Sequence, residues 1–227
     1  MDFSQVTDIT IPEGNVIQIA QGATVLWEKT PSRLPSGYQE VEYLESSGTQ
    51  WINTQYSLWA TSNWKLECKF NITESPQTNC TVFGTNRTGS TYKMFVASDS
   101  NLKMIMPTFG SRTISAVQTD TVYVLECNNM GTYFESYLNG VLKNRLTKSA
   151  TATSTAVLIF HDANTSYGNL SGRIYYAKFW AGENGELVRD FVPCYRKSDE
   201  IAGLYDLANG VFYTNSGTGT FTPGLDI

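Results

Sequence analysis

Residues 121–145 read TVYVLECNNMGTYFESYLNGVLKNR. Tyr123, Leu125 and Cys127 alternate with Val124 and Glu126. A period of two puts the first set on one apolar face, the pattern of a half-buried strand. Farther on, Asn139-Gly140 sits between Tyr137-Leu138 and Val141-Leu142. Both central residues tolerate positive φ, so the pair predicts a two-residue type I′ hairpin. A lone hairpin is not stable in water, so these strands need a larger sheet and a second layer.

The neighbouring sequence supplies both. In WKLECKF, Trp64, Leu66, Cys68 and Phe70 share one face, while Lys65, Glu67 and Lys69 share the other. Similar runs recur as CTVFGT, YKMFVAS, LKMIMP, TAVLIFH, GRIYYAKFW, ELVRDFVP and GVFYT. Turn signals separate them at intervals of about ten residues, the spacing of a sandwich. No long helical stripe interrupts them. Trp64, Phe70, Phe83, Phe95, Tyr123, Phe179 and Phe191 lie in strand runs and are the expected core rings. Of 227 residues, 41% are hydrophobic, enough for a sizeable core, and only 16% are charged. The predicted class is all-β: a two-sheet antiparallel β-sandwich preceded by a small N-terminal β module.

That module spans residues 1–29. VTDITI, NVIQIA and ATVLWE read as three short strands parted by PEGN and QG. Residues 30–37 have linker composition, and residues 38–227 form the sandwich. The module is expected to serve attachment or assembly with other proteins.

The net charge is −5, and the densest basic stretch is only Lys143, Arg145 and Lys148. A phosphate backbone or an anionic membrane needs concentrated positive charge, so neither is an expected partner. No apolar run is long enough to span a bilayer. The N-terminus lacks the basic start and apolar stretch of a signal peptide, so the chain is expected to remain in the cytoplasm that makes it or to leave within a larger particle. Cys68 and Cys127 fall on apolar faces and read as buried thiols. Cys80 and Cys194 form no CxxC pair with them.

The opening LPSGYQEVEYLESSGTQWINTQY, the central YLNGVLK and the closing SGRIYYAKFW…LVRDFVPCYRKSDEIAGLYDLANGVFYTNSGTGTF resemble one family. It is the laminin-G/concanavalin A-like jelly-roll domain of phage or prophage structural, tail-associated proteins from gut bacteria. The resemblance implies a lectin-like jelly roll on a virion or phage-like particle, with homo-oligomerisation as one arrangement. It fixes the fold more firmly than the function.

Three functions compete. The first is non-catalytic carbohydrate recognition or adhesion, with a glycan or cell-surface polysaccharide as partner. Trp59, in the polar stretch SLWATSN, is the expected stacking ring. Tyr92 borders a second loop, and His161, Asp162, Asn164 and Tyr167 offer polar groups and another ring in a third. Calcium is a possible cofactor through Asp162 and Asn164, with Asp99 and Asn101 as a further pair. The second is a purely structural decoration or assembly domain. The third is a glycoside hydrolase, for which Glu40, Glu42 and Glu45 are the carboxylates to consider. The single histidine and the lack of a nucleophile elbow argue against a Ser-His-Asp triad. No catalytic residue is assigned.

Overall fold

In the computed structural model, residues 18–21, 24–28, 32–59, 63–85, 92–106, 110–147, 154–162, 168–182 and 184–227 are described. For 18–21, 24–28, 58, 59 and 154 this covers the backbone only. Contacts divide the chain into two units, Met1–Arg33 and Leu34–Ile227. In the first, β1 (Gln18–Gln21) and β2 (Thr24–Glu28) pair antiparallel. VTDITI lies outside the described residues.

The second unit is all β. Its strands are β3 (Tyr38–Glu40), β4 (Leu44–Ser47), β5 (Ile52–Trp59), β6 (Trp64–Ile72), β7 (Cys80–Thr85) and β8 (Lys93–Val96). Then come β9 (Asn101–Met106), β10 (Gly110–Ala116), β11 (Tyr123–Asn128), β12 (Tyr133–Leu138), β13 (Val141–Thr147) and β14 (Ser154–Ile159). β15 (Gly168–Asn169), β16 (Ser171–Ala181), β17 (Glu186–Arg196), β18 (Ile201–Asp206), β19 (Val211–Thr214) and β20 (Thr222–Pro223) complete it.

They form two sheets. The larger runs β13-β12-β11-β6-β16-β17-β18-β19, with β3, β4 and β20 attached. The smaller runs β10-β9-β8-β7-β14-β5, with β15 attached. This is the antiparallel sandwich of a jelly roll, as the alternation predicts. Asn139 (φ 51°) and Gly140 (φ 77°) make the β12–β13 turn, both left-handed as a type I′ turn requires. One edge of β16 serves two partners: residues 171–174 pair with β4 and residues 177–181 with β17. β17 in turn leaves β16 after Phe191 and pairs with β3 from Cys194. Pro193 sits at this handover, where a missing N–H costs least, and its carbonyl accepts from the Val41 N–H at 3.1 Å.

The core lies between the sheets. Trp64, Leu66, Cys68 and Phe70 of β6 face Val82, Met94, Met104 and Ile159 of the smaller sheet within one cluster. Fully burying such a side chain stabilises by about 1.5–3 kcal/mol. Leu34, within the stretch read as linker, is buried in a satellite cluster with Val192, Cys194 and Tyr205.

The two outer faces differ. On the larger sheet the face away from the core is an open lattice of ions and rings. Lys65 lies 3.4 Å from Glu126 and 4.1 Å from the Trp180 ring. The Tyr176 hydroxyl donates to Glu67 at 2.9 Å, and Arg173 meets Glu45 at 2.6 Å. On the smaller sheet the outward residues of β7, β8 and the end of β14 are buried as well. Lys93 and Phe95 alternate with the inward Met94 and Val96, yet all four are buried. Thr81 and Leu158 are also enclosed.

Candidate functional site

The segments that open and close the sandwich meet in a clasp. LESSGTQW (44–51) lies against TNSGTGTF (214–221). The Trp51 N–H donates to Asn215 Oδ1 at 3.1 Å, and Gln50 Nε2 donates to the Thr220 carbonyl at 3.0 Å. The Ser216 and Thr218 N–H groups return to the Trp51 and Thr49 carbonyls at 2.8 and 3.1 Å. Gly217 is required here, because a Cβ would fall on the Thr49 carbonyl oxygen. In the neighbouring LYDLANG, the buried Asp206 carboxylate accepts from the Asp190 and Ala208 N–H groups and from Asn209 Nδ2. Many of the residues behind the family resemblance therefore hold the fold together.

Beside the clasp the chain makes a strained crossing. Phe160, just after β14, has φ 69°, a conformation costly for a bulky residue. It is held there by complete burial and by the Phe221 ring 5.3 Å away. The next two residues part company. The His161 ring stacks at 5.0 Å on Trp51 of the clasp. Asp162 turns over the outer face of the smaller sheet and meets Lys93 Nζ at 2.7 Å, with side chains 0% and 2% exposed. Gly84 lies beneath them: a Cβ there would come within 2.6 Å of the Asp162 Cβ. The chain then returns as β15, parallel to β7, pairing Gly168 with Cys80 and Asn169 with Thr81. Burial pushes the His161 pKa below the ordinary imidazole value, against the opposing pull of the Asn169 side chain and the Asp162 charge. The ring is therefore neutral at neutral pH.

A cleft of about 300 Å³ opens at this rim, between the turn after β6 and the strands β15 and β16. Its polar lining includes Glu74, Gln77, Thr78, Asn169 and Ser171, with the half-exposed Cys80 at its wall. Burial raises the Cys80 pKa, and its Sγ contacts the Thr78 carbonyl at 3.3 Å. A second cleft, about 450 Å³, is lined by residues 199–202, 214, 215, 220 and 221. Its Asp199 is held by Arg196 at 2.6 Å, and its Asn215 belongs to the clasp.

Of the residues expected to bind sugar, the described side chains Tyr92, His161 and Asp162 do not share one surface. Trp59 is not in a loop. It ends β5, paired with Ser154, because a bulge at Gln55 (φ 55°) and the register shift opposite it reset the alternation. Its side chain lies outside the described residues, as do Asn164 and Tyr167. Tyr92 is a core ring, 5.6 Å from Trp64, and burial pushes its phenol up to about 12. Tyr92 directly precedes Lys93, the first residue of β8, and the two side chains face opposite sides of the sheet. Asp162 is enclosed with Lys93 and presents no surface to a sugar. Of the set, His161 stands at the rim. Trp51, Asn169 and the turn 74–78 were not singled out by sequence, since Trp51 precedes a strand of ordinary appearance.

The metal reading changes too. Asp162 already faces a lysine ammonium, which a calcium ion would have to displace. Asp99 accepts from the Asn101 N–H at 3.1 Å and pairs with Lys103 at 2.7 Å, an Asx turn with its own counter-ion. Among the described residues no three His, Cys, Asp or Glu side chains converge on a point. The carboxylates considered for hydrolysis are dispersed. β3 ends at the buried Glu40, Glu42 lies beyond it, and Glu45 is paired with Arg173.

No family model and no curated protein matches the chain. Solved structures do. A candidate carbohydrate-binding protein from Bacteroides ovatus aligns with TM-score 0.59 and 13% identity, over 83% of this chain and 62% of that one. The chain thus spans less than two thirds of that protein. A heptameric SAP-like pentraxin from Limulus polyphemus aligns with TM-score 0.49 and 9% identity, over 82% and 94%. The CBM40 module of a Ruminococcus gnavus sialidase, bound to α2,3-sialyllactose, aligns with TM-score 0.48 and 10% identity, over 68% and 94%. At such identity the first likeness establishes a shared sandwich fold and nothing finer.

Proposed function

We propose that the chain is a non-catalytic carbohydrate-recognition module, used for adhesion. The observation that carries this reading is the rim cleft. Thr78 and Ser171 offer hydroxyls, Gln77 and Asn169 offer amides, and the Trp51–His161 ring pair, outside the lining itself, is joined to it by the Asn169–His161 hydrogen bond. Sugar recognition needs such a concave site with a few convergent polar groups and an apolar ring. The candidate carbohydrate-binding protein with the same fold supports the class. The sequence resemblance adds the setting: a phage or prophage particle, to which the N-terminal module would attach the sandwich.

A panel of neutral and charged oligosaccharides, titrated calorimetrically, tests the proposal. At least one should bind, and Asn169→Ala should weaken it by about 1–2 kcal/mol. Cys80 gives a second readout, because Cys68, Cys127 and Cys194 are buried. Bound sugar should slow its labelling by a thiol reagent. If nothing binds and the protein instead assembles with particle components, it is a structural decoration domain. Turnover of any polysaccharide in the panel would make it a hydrolase.

A further inference from the structure

The cleft also carries a statement about the charge of its ligand. Among the described residues its lining contains one ionisable carboxylate, the exposed Glu74, and neither lysine nor arginine. Two cations that the fold brings near this rim are already engaged. Lys93 is enclosed with Asp162 at 2.7 Å, and Arg173, two residues beyond Ser171, meets Glu45 at 2.6 Å. A sugar carboxylate or sulfate entering the cleft would lose its hydration without gaining a counter-ion, and it would approach Glu74. A hydroxyl or acetamido group meets what the site offers, namely amides and hydroxyls that both donate and accept. Resting on the glycan-binding reading, we infer that the cleft selects uncharged sugars and rejects anionic ones, with Glu74 setting the sign of that selection.

The test compares matched oligosaccharides that differ only in charge: a neutral galactose-terminated form, its sialylated form and its sulfated form, at low ionic strength. The neutral form should bind at least about tenfold more tightly than either anionic one. Equal or tighter binding of an anionic form overturns the inference while leaving glycan recognition standing. If neither the anionic forms, these neutral forms nor a wider neutral panel binds, glycan recognition itself falls, and the inference with it. Glu74→Lys then reads the cleft directly. Residue 74 is exposed, so the fold should be unaffected. The ratio of anionic to neutral affinity should rise by about fivefold or more, and the gain should fade as salt is added. An unchanged ratio in a folded variant would place the ligand elsewhere and overturn the assignment.

Discussion

The two sheets of the sandwich solve the same problem differently. In the middle of the larger sheet, β6 up to Phe70, β11 and β12 bury alternate residues and leave the rest partly exposed. In β6 the buried Trp64, Leu66, Cys68 and Phe70 alternate with the half-buried Lys65, Glu67 and Lys69. The outward ions of β6, β11 and β16 pair with one another or lie over rings, and none of them is deeply buried. In the smaller sheet β7, β8 and the end of β14 are buried on both faces, and an ion pair is enclosed on the outer one. A strand buried on both faces keeps a charged side chain only if it is provided for, as Lys93 is by Asp162 and by the space left at Gly84. The contrast separates a face of partly exposed ion pairs from a face that holds the chain at the candidate site.

The largest expected effect tests that contrast at the enclosed pair. Lys93→Met leaves the Asp162 carboxylate buried without its ammonium and should cost about 3–5 kcal/mol, read from urea unfolding. The double variant Lys93→Met/Asp162→Leu removes both charges and should recover much of the loss. If the single variant unfolds like the parent, the pair is not what fixes the crossing. A much smaller effect is expected on the other sheet. Lys65→Ala breaks one exposed ion pair and one cation–ring contact, and should cost less than about 1 kcal/mol. A loss as large as that of Lys93→Met would erase the distinction between the faces.

The smallest effect concerns His161, the only histidine in the chain. Its single imidazole resonance should titrate below the ordinary value, because the ring is partly enclosed against Trp51. With the folded pKa below the unfolded one, the unfolded chain binds the extra proton first as pH falls. Stability is then full above the ordinary imidazole pKa and declines through the window down to the folded pKa. An NMR titration at or above the ordinary value would show that the ring is not desolvated against Trp51, and the Trp51–His161 corner would lose its place in the site.

The sequence by itself determined the class and the wall of the core. WKLECKF and TVYVLEC declare their faces through an unbroken period of two, and Asn139-Gly140 declares its turn through positive φ. These signals are local, so they can be read without knowing any partner. The motifs of the resemblance were equally visible. That they serve a clasp between residues 44–51 and 214–221 depends on a meeting of the two ends of the sandwich. Tertiary structure alone decided the site. A lysine at 93 and an aspartate at 162 look like surface residues until the crossing after Phe160 brings them to 2.7 Å. A tryptophan at 59 looks like a loop residue until a bulge at Gln55 carries its strand forward. Burial, charge pairing and clefts come from contacts between segments far apart in the chain. No local period encodes them, which is why the fold could be read residue by residue and the rim cleft could not.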